Sequence, residues 1–407
     1  MKIESVEFFY AAMPEVTLAA DGSQDTLLVR VTAGGYVGWG ECEASPLVSI
    51  AAFVTPRSHG VCQPVADSVL GETVDTPDDI ARISELVERN SMDLLQAAHT
   101  YSGIEIALWD LLGQRYEQPV WKLLGYERSA PKVPYASMLF GETPEQTLEH
   151  VTAAVARGFR AVKVGWGGFG EGTPQRDADH LMAAREGLGG EGILLVDAGQ
   201  IWRSDVEAAA LRIPALAEAR ATWLEEPFLP HAYKAHADLA ARSHGVGIAG
   251  GEGAHTTHMA TNLIDFGDVS FVQIDTGRIG GIGPAKAVAD YAAARGVTYV
   301  NHTFTTHLAL SASLQPFAGL VDHRICEFPA EPSELAQVVT STSLQLDANG
   351  EISAPDAPGL GLEVALENLA PYLRTVDISV DGATLYASGT SAGRSGTVSA
   401  AVSTSVR

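Results

Sequence analysis

Between residues 131 and 328, short apolar runs alternate with helical segments in units of some 25 to 35 residues. The runs are Val133–Met138, Ala161–Gly165, Ile193–Asp197, Thr222–Glu225, Val246–Glu252, Phe271–Asp275, Thr298–His302 and Arg324–Phe328. Helical spacing predicts helices over 144–157, 175–187, 204–219, 231–243, 256–266, 283–295 and 307–319, with Thr143 before Pro144 and Ser204 before Asp205 as start signals. Eight strands separated by helices call for a parallel sheet closed on itself, a (β/α)8 barrel. The competing architecture is a doubly wound open sheet, which usually carries a glycine-rich phosphate turn after an early strand. None stands there, and Gly280-Gly281-Ile282-Gly283 follows the sixth strand, outside that context.

The flanking segments follow other rules. Thr26–Thr32 is apolar and β-branched, and Ala33-Gly34-Gly35-Tyr36 turns the chain into Val37-Gly38-Trp39-Gly40, a hairpin signal. Residues 77–125 are largely helical, with Ile104, Ile106, Ala107, Leu108, Leu111 and Leu112 at helical spacing and Gly125 as a stop. After 350 come loop and short strands, including a hairpin over Asp377–Tyr386 that turns at Asp381-Gly382. From Ala387 onward the chain is rich in Ser, Gly, Thr and Ala without an aromatic residue, and 388–407 reads as a disordered tail.

At 407 residues the chain is long enough to bury a full core without disulfide or metal staples. Its 26 basic and 50 acidic residues give a net charge of −24, which excludes a general affinity for nucleic acid or anionic membranes. The three cysteines, Cys42, Cys62 and Cys326, form no CxxC and no framework, so a reducing cytoplasm is the expected setting. The first residues carry acids where a signal peptide needs an apolar run, and no stretch approaches the ~18 apolar residues of a membrane span.

In such a barrel, polar residues at strand C-termini are the functional candidates. Three successive strands end in a carboxylate: Asp197, Glu225 or Glu226, and Glu252. Steps of 28 and 27 residues (197 to 225, 225 to 252) are one βα unit each, so the acids meet at the barrel mouth. Carboxylates gathered there repel one another unless a cation lies between them, and all-oxygen ligation suits Mg²⁺ rather than zinc. Glu225 and Glu226 face opposite sides of an extended strand, so one is a ligand and the other orients a neighbour.

Asp275 ends the sixth strand, and His307 follows the seventh in Asn301-His302-Thr303-Phe304-Thr305-Thr306-His307. An acid on one strand and a histidine after the next can form a carboxylate–imidazole pair, with His302 as the rival base. Glu327 stands on the eighth strand and Lys163 on the second, two residues before Gly165. A divalent ion and a lysine can hold a substrate carboxylate and stabilise the charge that develops as its α-proton leaves. A protonated Glu327 can hydrogen-bond the developing oxyanion. The reaction class is proton abstraction α to a carboxylate.

These residues resemble the enolase superfamily, specifically its mandelate racemase subgroup. The resemblance runs from Val37-Gly38-Trp39-Gly40-Glu41 to Pro358-Gly359-Leu360-Gly361, through Ile106-Ala107-Leu108-Trp109-Asp110 with Gly113, Leu224-Glu225-Glu226-Pro227, Gly250-Gly251-Glu252 and the Asp275, His307, Glu327 series. It implies an α+β capping domain built from both chain ends over a barrel holding one Mg²⁺. The division expected is a capping domain over 1–130, a barrel over 131–350 and a C-terminal segment over 351–387 that returns to the cap. Carried over, the resemblance makes Asp197, Glu225 and Glu252 the metal ligands, Asp275 and His307 the dyad, Glu327 the final-strand acid, and Lys163 the first lysine of a Lys-x-Lys motif.

Two positions depart from the pattern. Gly165 replaces the second lysine, and Gly199 replaces an asparagine, which is expected to open space on one side of the substrate. The loss of a base at 165 disfavours two-base racemisation and favours β-elimination. The implied activity is dehydration of a sugar acid to a 2-keto-3-deoxy acid, with a lactone cycloisomerase or a racemase as alternatives and a non-catalytic binding relative as a further one. Relatives with a lysine at the end of the sixth strand are set aside, because Asp275 stands there. Trp166 in the strand-two loop, His302, and His59 and Arg57 in the cap are candidate substrate contacts. A homo-oligomer is expected, as is common for large barrels of this kind.

Overall fold

The computed structural model describes residues 1–16, 24–42, 45–166, 168–388 and 396–399. The chain opens with three antiparallel strands, β1 (Ile3–Ala12), β2 (Asp25–Ala33) and β3 (Tyr36–Cys42). The β2–β3 turn places Gly34 and Gly35 at φ 57° and 81°, the double positive φ that lets a two-residue turn match strand twist. Helices α1 (Pro46–Val54), α2 (Pro77–Asn90), α3 (Ala97–Tyr116) and α4 (Val120–Leu123) follow. Helix α3 lies on the sheet so closely that a Cβ on Gly38 would stand 2.0 Å from the Ala107 carbonyl, and one on Gly40 2.1 Å from that of Gly103. The Gly-Trp-Gly hairpin and the Ile-Ala-Leu-Trp-Asp helix are thus two halves of one contact. The Asp110 carboxylate joins it to the C-terminal segment, accepting the Trp39 N–H at 2.9 Å and the Leu360 N–H at 2.8 Å.

The barrel strands are β4 (Val133–Leu139), β5 (Ala161–Gly165), β6 (Ile193–Asp197), β7 (Ala221–Glu225), β8 (Gly247–Gly250), β9 (Phe271–Ile274), β10 (Thr298–Asn301) and β11 (Ile325–Phe328). They form one parallel sheet in the order β10-β9-β8-β7-β6-β5-β4-β11. Side chains bridge the remaining seam, from β10 to β11. The Asn301 amide accepts the Glu327 N–H at 2.9 Å and donates to the Glu327 carbonyl at 3.3 Å, while His323 accepts the Tyr299 N–H at 2.8 Å.

The intervening helices are α5 (Pro144–Ala156), α6 (Pro174–Leu188), α7 (Val206–Ala210), α8 (Ile213–Glu218), α9 (Tyr233–Ala240), α10 (Thr257–Gly267), α11 (Ile282–Ala294) and α12 (His307–Leu314), followed by α13 (Glu334–Val338). The single helix expected over 204–219 is broken between α7 and α8, because Pro214 has no N–H for the ladder and crowds the preceding turn.

Inside the barrel, Val133, Tyr135, Ala161, Leu195, Trp223, Ala249 and Val300 form a closed apolar layer. Inward positions recur every second residue, so the next inward positions after Ala161, Leu195, Trp223 and Val300 are Lys163, Asp197, Glu225 and His302. The polar mouth therefore stands directly on an apolar floor. The expected hairpin over 377–386 is β12 (Asp377–Val380) and β13 (Ala383–Ala387), turning at Asp381 and Gly382 with φ 50° and 79°. Within the expected tail, β14 (Gly396–Ser399) pairs antiparallel with β1, and residues 389–395 and 400–407 lie outside the described residues. No helix among the described residues is long and apolar enough to cross a membrane.

Candidate active site at the barrel mouth

Lys163 is the hub of the mouth. Its ammonium lies 2.8 Å from Glu225, 3.0 Å from Glu327 and 3.5 Å from Asp197, and 5.6 Å above the Tyr135 ring of the floor. Burial alone would lower its pKa, but Glu225 and Glu327 raise it well above the ordinary lysine value, so it is a fixed cation. Glu225 is fully buried and also accepts the Trp223 indole N–H at 3.1 Å. Burial and the charge of Asp197 push its carboxyl well up, and burial raises Asp197 against the pull of Lys163, with Glu252 adding repulsion. Glu226 turns away from these groups at φ 39° and accepts the Gln200 amide at 2.8 Å, so Glu225 is the inward member of the pair.

Glu252 lies between two cations, with Arg278 at 3.0 Å and the His302 Nε2 at 3.1 Å. Burial opposes its ionisation, yet the His302 ring and Arg278 hold its carboxyl below the usual range. Asp197, Glu225 and Glu252 are hard oxygen donors whose charges act on one another, a donor set that fits Mg²⁺. Among the described residues no three such groups already converge on one coordination point; Lys163 and Arg278 hold the carboxylates instead.

The carboxylate–imidazole pair is real, but its histidine is not the one assigned. Asp275 Oδ2 lies 2.7 Å from His302 Nδ1, and its Oδ1 accepts the Gly277 N–H at 2.7 Å. With Nδ1 donating to Asp275, His302 Nε2 points across the mouth. Burial would lower the pKa of this ring, but Glu252 and Glu327, with the Asp275 hydrogen bond, raise it well above the ordinary value. His307 begins helix α12, and its Nδ1 accepts the Leu344 N–H at 3.2 Å while its ring meets Phe328 edge-on at 5.7 Å. Burial alone lowers its pKa. The reason is positional: β10 ends at Asn301, so His302 is the strand's next inward residue, whereas His307 has entered the following helix.

Two other expectations change. The space anticipated at Gly165 and Gly199 is filled. A Cβ on Gly165 would stand 2.5 Å from the Asp197 Cβ, and one on Gly199 2.9 Å from the Trp166 indole. Trp166, more than half exposed and at φ 56°, covers this flank of the mouth. His59 lies on the cap surface, its ring 2.8 Å from Asp93, and Arg57 pairs with Asp67 there.

The structure also adds groups that the sequence reading did not single out. Glu41, at the end of β3, is buried and accepts hydrogen bonds from Thr26 (2.6 Å) and Thr306. An enclosed gap lined by Glu41, Asp275 and Thr305 separates it from the dyad, and burial pushes its carboxyl up to about 7. Glu105 of α3 accepts the N–H groups of Ile282 (2.6 Å) and Gly283 (2.8 Å), and Ser102 that of Gly280 (2.9 Å). The cap thereby holds the loop that follows Asp275.

Residues 9–125 match the mandelate racemase/muconate lactonizing enzyme N-terminal domain, and residues 146–368 match the enolase C-terminal domain-like family. The chain belongs to the enolase superfamily. Within that superfamily, the chain is similar to the crystal structure of a predicted mandelate racemase from Rhodobacter sphaeroides, with 63% identity and a TM-score of 0.92 over 95% of this chain and 99% of that one. It is 33% identical over 279 residues to a 3,6-anhydro-α-L-galactonate cycloisomerase of Streptomyces coelicolor, covering 67% of this chain and 72% of that one. It is 34% identical over 264 residues to an L-talarate/galactarate dehydratase of Salmonella typhimurium, covering 62% and 63%.

Proposed function

We propose that this superfamily member is a Mg²⁺-dependent lyase that takes the α-proton from a sugar acid and eliminates the β-oxygen substituent. The observation that carries the reading is the 2.7 Å Asp275–His302 pair, which fixes the ring with Nε2 over the carboxylate cluster. Asp197, Glu225 and Glu252 would hold the ion, which supplies Lewis acidity for charge developing on the substrate carboxylate. Lys163 supplies a second, permanent positive charge beside that carboxylate, and Glu327 faces the same atoms. In its neutral form, with Nδ1–H donating to Asp275, His302 accepts the α-proton at Nε2. The electrons of the C2–H bond first pass into the substrate carboxylate as an enediolate, a step that can reverse; they then form the C2=C3 bond as the C3–O bond breaks, and the imidazolium returns a proton to the departing oxygen. A free hydroxyl leaves as water, and the enol tautomerises to a 2-keto-3-deoxy acid.

The cycloisomerase similarity supports a second form of the same step. In a 3,6-anhydro acid the C3 oxygen belongs to a ring, so the same bond cleavage opens the ring without releasing water. Either form needs one base. Racemisation needs a second base on the opposite face, and that flank carries Gly165, Gly199 and Trp166. The test is to incubate the protein with Mg²⁺ and aldonic, aldaric and anhydro acids and to trap 2-keto-3-deoxy product with a carbonyl reagent. Product from any of them supports the lyase. Deuterium exchange with C2 epimerisation and no keto product contradicts it.

A further inference from the structure

We infer that the substrate carries one carboxylate, and that the rest of it is an uncharged polyol or cyclic ether rather than a chain ending in a second carboxylate. This rests on the sugar-acid reading above and narrows it. A cavity of about 710 Å³ opens at the barrel mouth between the ends of β4 and β11. Ser137 and Leu139, the inward residues that follow Tyr135 on β4, line one side, and Pro329 and Phe304 line the other. Two contacts join this cavity to the reaction centre. Ser137 is in register with Lys163 on the neighbouring strand, and the Phe304 ring meets the His302 ring edge-on at 5.0 Å. A substrate gripped by Lys163 and addressed by His302 therefore extends its remaining atoms into this cavity.

The rim consists of Glu142, Gln146, Glu149, His150 and Glu331. Among the described lining residues three are carboxylates and none is Lys or Arg. The two ends of the site thus differ in the cations they offer a carboxylate: Lys163 and Arg278 stand at the reacting end, whereas the described lining of the cavity holds neither Lys nor Arg. At the reacting end, Lys163, together with the cation that Asp197, Glu225 and Glu252 would hold, would counter one carboxylate. At the distal end, a second carboxylate would meet Glu142, Glu149 and Glu331 as like charges, with no Lys or Arg among the described lining residues. Hydroxyls meet the opposite situation, since glutamates accept from them and Gln146 both accepts and donates. The charge of this cavity therefore separates substrates like the anhydrogalactonate of one relative from substrates like the galactarate of another.

The experiment compares matched acids with Mg²⁺ present: gluconate with glucarate, galactonate with galactarate, and an anhydrogalactonate. Two readouts are taken, kcat/KM for keto product and Kd by calorimetry. The expected result is at least about tenfold preference for the monoacid of each pair, and a shift of about tenfold toward the diacid in Glu149→Lys or Glu331→Lys. A diacid bound and turned over as well as its monoacid overturns the inference, as does a preference that neither substitution moves. Monoacids that bind selectively without forming keto product leave the inference standing and defeat the lyase reading instead. Absence of binding by every acid defeats both.

Discussion

The two flanks of the barrel mouth are built from opposite materials. On the β8–β10 flank the positions after the strands carry Glu252, Asp275 and His302, joined by contacts of 2.7 and 3.1 Å. On the β5–β6 flank the corresponding positions carry Gly165 and Gly199, and an indole lies against the second. On the first flank an imidazole is paired with a carboxylate; on the second, beyond Lys163 and Asp197, glycines and an indole leave no titratable group in the place of a second base. The comparison teaches that a missing base need not leave a hole. At Gly165 the Asp197 Cβ of the neighbouring strand lies 2.5 Å from where a Cβ at 165 would stand, too close for a side chain there without a shift.

The largest effect should come from removing the base of the active flank. His302→Asn is expected to lower α-proton exchange by about 10²–10⁴-fold, as for loss of a positioned general base, with Mg²⁺ affinity retained. Exchange is read by NMR in D₂O. Near-normal exchange would return the base to another group. On the opposite flank, Gly165→Lys asks whether the missing base can be restored. Because its Cβ would collide with Asp197, the variant is expected to weaken Mg²⁺ binding by about tenfold or more and to yield no C2 epimer. Appearance of the epimer would show that the flank has room after all.

A smaller effect concerns the cap groups that back the active flank. Burial raises the folded-state pKa of Glu41 to about 7 from an ordinary 4.5. A raised carboxyl pKa means that the folded chain holds a proton the unfolded chain has lost, so stability falls as pH rises from about 4.5 to about 7. Glu41→Gln keeps hydrogen bonds to Thr26 and Thr306 available and is expected to flatten that part of the pH dependence of Tm by a few degrees, about 1–3 kcal/mol. An unchanged slope would mean that Glu41 is already ionised in the fold. The smallest effect is reserved for His307→Asn, which touches neither flank. It loses one hydrogen bond, about 1 kcal/mol of stability, and should leave exchange within about twofold of the parent.

The parts of this site that sequence makes legible are those set by strand periodicity. Asp197 and Glu225 recur one βα unit apart and end their strands, and Lys163 lies one inward step above Ala161, so their convergence follows from the count. The same rule, applied from Val300, points to His302 rather than His307. Residue identity and loose proximity to the strand favoured the wrong histidine, and alternation decides between them. The break at Pro214 was likewise written in the sequence. What spacing could not reveal is separation through space between distant segments. The Thr306–Glu41 contact spans 265 residues, and the Trp166 ring reaches Gly199 from another strand's loop.

One measurement tests the central claim, a single base on a single flank, most directly. The protein is incubated with Mg²⁺ and an accepted sugar acid in D₂O, and the recovered acid is examined for deuterium and configuration at C2. The account predicts deuterium with retained configuration, alongside the keto product, and no C2 epimer. Deuterium in the C2 epimer would contradict it, because only a second base across from His302 can deliver that proton.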